Sequence, residues 1–204
     1  IITASFMGSG SSAVTDLLRE YENVSCPNGS YEYLFLHCPN GVFDLEDKLL
    51  RGNNALRSDE ALRSFRKAMS GLFGNAHWWF ADYEHKITPV FMDEVDRFIS
   101  SLSSCSFEGF WYEHEKISRA KSFETRTLRK LGMAPVHGGR LYEDQMRVSF
   151  PSSEMFFGCA SEFLERVLRL ACKGENPSCA LFDQLFLPHN LDRLNSYFPQ
   201  GNAK

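Results

Sequence analysis

What this chain lacks narrows its chemistry before any motif is read. Its six cysteines, Cys26, Cys38, Cys105, Cys159, Cys172 and Cys179, form no Cys-x-x-Cys pair. Structural zinc sites are built from closely spaced ligand pairs, so no structural metal is expected. The six histidines show neither His-x-x-x-His nor His-Glu-x-x-His spacing, which removes the helix-borne zinc hydrolase arrangement. No Gly-x-Ser-x-Gly elbow points to a serine hydrolase. No apolar run approaches the ~20 residues a membrane span needs, and no secretory signal pattern is present. With a net charge of −4 and a pI near 5.9, the chain has no positive excess to hold nucleic acid generally. A reducing, cytoplasmic setting is the expectation, with Cys159 and Cys172 acting as small apolar core residues.

What is present is apolar and aromatic. Eighteen phenylalanines and 43% hydrophobic residues argue for a packed interior rather than disorder. A chain of 204 residues suits one large domain, or one domain with an inserted subdomain.

The first dozen residues carry the strongest chemical signal. A β-branched run, Ile1-Ile2-Thr3-Ala4-Ser5-Phe6, opens into Met7-Gly8-Ser9-Gly10-Ser11-Ser12, and Ala13 to Tyr21 reads as a helix. A strand that turns through glycines into a helix N-terminus presents backbone N–H groups and the positive end of the helix dipole to an anion. A Walker A loop would end Gly-Lys-Ser/Thr; this one reads Gly10-Ser11-Ser12 without a lysine.

Further along, Tyr31 to Leu36 reads as a second strand, closed by Pro39-Asn40-Gly41, and Phe43 to Leu50 as a short helix. Ser58 is read as the N-cap of a helix over Asp59 to Ser70. From Pro89-Val90 to Leu102, residues Val90, Val95, Phe98, Ile99 and Leu102 fall on one helical face. Leu141 to Phe150 is strand or irregular. Pro151-Ser152-Ser153-Glu154 starts an amphipathic helix that runs to about Cys172. Cys179 to Phe186 reads as a buried parallel strand, and Leu191 to Tyr197 as a short helix.

Two segments resemble sulfotransferases that use 3′-phosphoadenosine 5′-phosphosulfate. Ser9-Gly10-Ser11-Ser12 resembles the Arg-Ser-Gly-Ser-Ser loop of the carbohydrate-directed members, with Gly8 standing where the family has its cation. The stretch Phe182-Asp183-Gln184-Leu185, followed by Pro188-His189-Asn190 and the helix to Phe198, resembles the strand and short helix that carry Lys-Thr-His-Leu-Pro in cytosolic members. The resemblance implies an α/β, P-loop-like three-layer parallel sheet, with a mostly helical insertion over about residues 55–135. The single domain would cover 1–204, and the strand that binds the 3′-phosphate would follow Lys204.

On that resemblance, Gly8, Ser9, Gly10, Ser11, Ser12 and Ala13 would hold the 5′-phosphosulfate end of the nucleotide donor. Gln184 falls nearest the catalytic histidine position and cannot act as a base. Asp183, His189 or Glu32 would then take the proton of a hydroxyl or amine acceptor as it attacks sulfur. The donor is a co-substrate, and no metal is implied. Two other readings stay open: a nucleoside-triphosphate-dependent small-molecule kinase, and a non-catalytic anion-binding or interaction module. The basic stretch Lys116 to Lys130 and the residues Arg63, Arg66 and Lys67 either face an anionic ligand or form solvated helix faces. His77-Trp78-Trp79-Phe80 and Phe110-Trp111-Tyr112 either stack on a ring or pack in the core.

Overall fold

The computed structural model describes residues 2–3, 10–22, 24–25, 33–78, 81–109, 130–131, 144–172, 179–180, 182–183 and 188–198. Most of them are helical. The helices are α1 (Ser11–Arg19), α2 (Val42–Leu50), α3 (Ala55–Phe73), the single turn α4 (Tyr83–Lys86), α5 (Phe91–Leu102), α6 (Ser153–Ala171) and α7 (Pro188–Tyr197). The strands are short: β1 (Ile2–Thr3), β2 (Val24–Ser25), β3 (Cys105–Gly109), β4 (Asp144–Val148), β5 (Cys179–Ala180) and β6 (Phe182–Asp183).

The three-layer parallel sheet expected from the sequence is not the architecture. The described residues are mainly helical, and their strands pair two at a time. β3 and β4 form an antiparallel ribbon, and β1 with β6 and β2 with β5 form parallel pairs of two residues per strand. The physical reason lies in where the large side chains go. Phe65, Phe91, Phe98, Phe156 and Phe163 recur at helical spacing and are buried against one another, so the core is made between helices. Phe98 and Phe163 stack with ring centroids 4.8 Å apart, joining α5 to α6. Phe35 meets Phe91, Phe163 and Tyr83 edge-on at 5.8–6.3 Å. Burying each such ring contributes roughly 2–3 kcal/mol.

The expected strand over Tyr31 to Leu36 is also corrected. Residues 34–40 are consecutive turns, and Tyr33, Phe35 and Leu36 are core residues supplied from those turns. The Val42 amide donates to the Phe35 carbonyl at 2.9 Å and the Phe43 amide to that of Leu36 at 3.0 Å. Gly41 makes this return possible, because a Cβ there would lie 2.6 Å from the Phe35 carbonyl oxygen.

α3 starts earlier than expected. Asn54 caps it, accepting from the Arg57 amide at 2.8 Å. Ser58 is buried within the helix and serves the ribbon instead, its hydroxyl accepting from the Ser149 amide at 3.2 Å. Beside it Asp59, 2% exposed, accepts from the Arg147 amide and from Arg63 Nε, each at 2.8 Å. Ser149 Oγ donates to the Leu102 carbonyl at 2.6 Å, so one polar seam ties β4 to α3 and to the end of α5.

α5 and α6 follow the sequence reading closely. Val95, Phe98, Ile99 and Leu102 are buried, whereas Val90 precedes the helix and is exposed. Ser152 caps α6 by accepting from the Met155 amide at 3.1 Å. No helix among the described residues is long and apolar enough to cross a membrane.

Candidate functional site

The strands on either side of α1 in the chain both pair with the segment 179–183. β1 runs parallel to β6, with Ile2 opposite Phe182 and Thr3 opposite Asp183. β2 runs parallel to β5, with Val24 opposite Cys179 and Ser25 opposite Ala180. Since β5 and β6 are separated by Leu181 alone, one short stretch of chain is the parallel partner of both β1 and β2. α1 packs on β1, β2 and β6. Thr3 and Asp183 are the last residues of the parallel strands β1 and β6, and residues 4–9 lie outside the described residues.

Gly10 is the N-cap of α1, at φ 91° and ψ 16°. This left-handed conformation costs a residue with a Cβ ~1–2 kcal/mol. The glycine provides no side-chain cap, and its carbonyl accepts from the Ala13 amide at 3.1 Å. The amides of the first turn carry the unpaired donors that every helix start has. Ser11 and Ser12 open the helix, Ala13 is exposed, and Thr15 is 1% exposed.

The other residues expected at the site are distributed as follows. Gly8, Ser9 and Glu32 lie outside the described residues. Asp183 ends β6. His189 is exposed in the first turn of α7, after Pro188. The basic stretch from Lys116 and the aromatic group from Phe110 to Tyr112 lie outside, apart from Lys130. Trp78 is exposed, and Trp79 and Phe80 lie outside.

Arg63 and Arg66 of α3 are committed to carboxylates. Arg63 pairs with Asp59, and Arg66 forms a two-pronged pair with Asp96 at 2.7 and 2.9 Å. Cys159 and Cys172 are half-buried, and Cys159 packs against the core. No group of three or more metal-ligating side chains occurs among the described residues.

Three polar groupings lie outside the residues singled out from sequence. Arg193 of α7 reaches Glu46, Asp47 and the Phe43 carbonyl of α2, while Tyr197 donates to Glu46 Oε2 at 2.5 Å. Arg193 also lies 4.7 Å from the centre of the Phe43 ring. Burial, then the hydrogen bond to Glu46, pushes the Tyr197 hydroxyl well above its ordinary pKa. This grouping fastens α7 to α2. The second is Asp82, a non-glycine residue at φ 67°, whose carboxylate lies 2.6 Å from Nδ1 of the exposed His85. That carboxylate raises the imidazole pKa. The third is Glu94, on a groove between α5 and α6. An i, i+3 acid–histidine pair is visible in a sequence; the other two need residues that only folding brings together.

Comparison with protein-family models, curated proteins and solved structures gives no match.

Proposed function

We propose that this chain is a sulfotransferase that moves a sulfuryl group from 3′-phosphoadenosine 5′-phosphosulfate to a hydroxyl or amine acceptor. The observation that carries the reading is the parallel register that sets Asp183 opposite Thr3, on the strand that leads to Gly10 and α1. The reading rests on this local strand–glycine–helix unit and on the Ser9-Gly10-Ser11-Ser12 sequence, and not on a layered sheet.

The reaction needs positioning and charge stabilisation and no covalent intermediate. The acceptor oxygen or nitrogen attacks sulfur in line and forms the new bond. The bond between sulfur and the bridging phosphate oxygen breaks, and adenosine 3′,5′-bisphosphate leaves with the electron pair. The acceptor proton passes to a carboxylate, with Asp183 and Glu32 the candidates, or to His189. Backbone amides at the start of α1 would hold the 5′-phosphosulfate through the transfer.

A second reading is a non-catalytic anion-binding module. It is favoured by Gly8, since residues 8–13 contain no lysine or arginine to take up charge developing on the leaving group. A transfer assay separates the two. The chain is incubated with the radiolabelled sulfuryl donor and a panel of hydroxyl and amine acceptors. A sulfotransferase yields labelled product that falls by about a hundredfold or more in the variant that has lost its base. No labelled product from a chain that binds the donor favours the module.

A further inference from the structure

The ribbon of β3 and β4 has two edges of different character. The outer edge of β4 is covered by α3, since the Arg147 amide donates to Asp59 at 2.8 Å and the Ser149 amide to the Ser58 hydroxyl at 3.2 Å. On β3, Cys105, Ser106, Phe107 and Glu108 are all exposed. No strand pairs with the outer edge of β3 among the described residues.

The ladder fixes which backbone groups that edge leaves over. Arg147 gives its amide to α3, so it and its partner Ser106 form a non-hydrogen-bonded pair. Ser106 therefore turns both its N–H and its C=O outward, and by alternation so does Glu108. Ser104, just before β3, gives its amide inward to the Val148 carbonyl at 2.8 Å. Unpaired edge groups are a template for a further strand. Lysine and proline blunt many natural edges, and β3 contains neither.

A second copy of β3, antiparallel about a twofold axis, fits this edge in one register. Glu108 opposite the partner's Glu108 would set like charges face to face. Ser106 opposite the partner's Ser106 would give Arg147 no carboxylate in its row. Ser106 opposite the partner's Glu108 avoids both faults. It sets Phe107, 45% exposed, against the partner's Phe107. It also puts Arg147, Ser106 and the partner's Glu108 in one row across the sheet. Arg147 and that carboxylate are then two strands, ~10 Å, apart at the backbone, within the combined reach of their side chains. Among the described residues, no ion pair within the chain holds either Arg147 or Glu108.

We propose that β3 is a self-association edge, through which two copies of this chain join their ribbons into one antiparallel sheet with β3 against β3. The inference is independent of the sulfuryl-transfer reading. The contact is isologous, so one self-complementary strand supplies both halves. A five-residue edge falls short of the ~1,200 Å² that a standard stable interface buries, so the dimer is a weak, exchanging one.

Sedimentation velocity on the full chain from ~5 to ~500 µM tests this, and a reversible shift from monomer to dimer is expected across that range. The Ser106 and Glu108 amides should exchange hydrogen slowly at the upper end and freely at the lower. Ser106→Pro removes an outward donor without touching the ladder to β4, and should hold the chain monomeric throughout. Should that variant fail to fold, Glu108→Arg, which sets two arginines in each row, should weaken the dimer about fivefold or more. A chain that stays monomeric to the upper limit overturns the proposal. So does a dimer in which the Ser106 and Glu108 amides still exchange freely, or one that either folded variant forms as well as the parent.

Discussion

Thr3 and Asp183 are partners in a parallel register, although 179 residues separate them in the chain. The strand partner of Asp183 therefore belongs to the segment that precedes α1 in the chain.

Gly10 is the first residue to test. Nothing lies within 4 Å of the position its Cβ would take, so a substitution there meets strain from the backbone alone. Gly10→Ala should lose about 1–2 kcal/mol of stability, read by urea denaturation. Gly10→Asn should lose less, since asparagine tolerates the left-handed region better than alanine.

The seam at Asp59 should outweigh any surface ion pair. Asp59→Ala leaves the Arg147 amide without its acceptor and removes the partner of Arg63, so a loss of about 3 kcal/mol is expected. Arg66→Ala breaks an equally short pair with Asp96, but both side chains are more than 40% exposed. That variant should change stability by less than about 1 kcal/mol. Chemical denaturation of the two variants side by side checks the contrast.

Stability should fall in alkali. The Tyr197 hydroxyl is held neutral by burial and by Glu46, so its folded pKa lies above its ordinary value of 10.0. The folded state therefore keeps a proton that the unfolded state releases. The associated stability is complete below about pH 10 and is lost as pH rises beyond it. Cys38, pushed from 9.0 up to about 12 by burial and then by Asp44, acts with the same sign over pH 9 to 12. Tyr197→Phe should consequently reduce the alkaline loss measured between pH 8 and 11, and leave a slope from Cys38 and from Tyr83, whose hydroxyl burial also raises.

The parts of the fold that could be read from sequence were those with local causes. The apolar face of α5 and the start of α6 after Pro151-Ser152 each depend on residues close in the chain. Errors arose where distant residues decide. Tyr33 to Leu36 has the aromatic content of a strand, but Gly41 lets the chain fold back on Phe35 and turns that segment into a corner of the core. Ser58 is as good a cap as Asn54 on local chemistry, and it is the Ser149 amide that takes its hydroxyl. β3 was not anticipated, because Cys105-Ser106-Phe107-Glu108-Gly109 becomes a strand only through β4.

The candidate site divides in the same way. The glycine turn into α1 was legible because Gly10 is required by its own backbone angle. The neighbourhood of Glu94 was not, since it depends on α6 being laid against α5. Arg63 and Arg66 looked available in sequence and are taken by Asp59 and Asp96.

The central claim is that the turn into α1 holds the phosphate end of a sulfuryl donor. Its most direct test is calorimetric titration of the chain with adenosine 3′,5′-bisphosphate in the presence of EDTA. The account predicts one-to-one binding without a divalent metal, weakened in Gly10→Ala. Binding of ATP only with magnesium, and none of the bisphosphate, would contradict it.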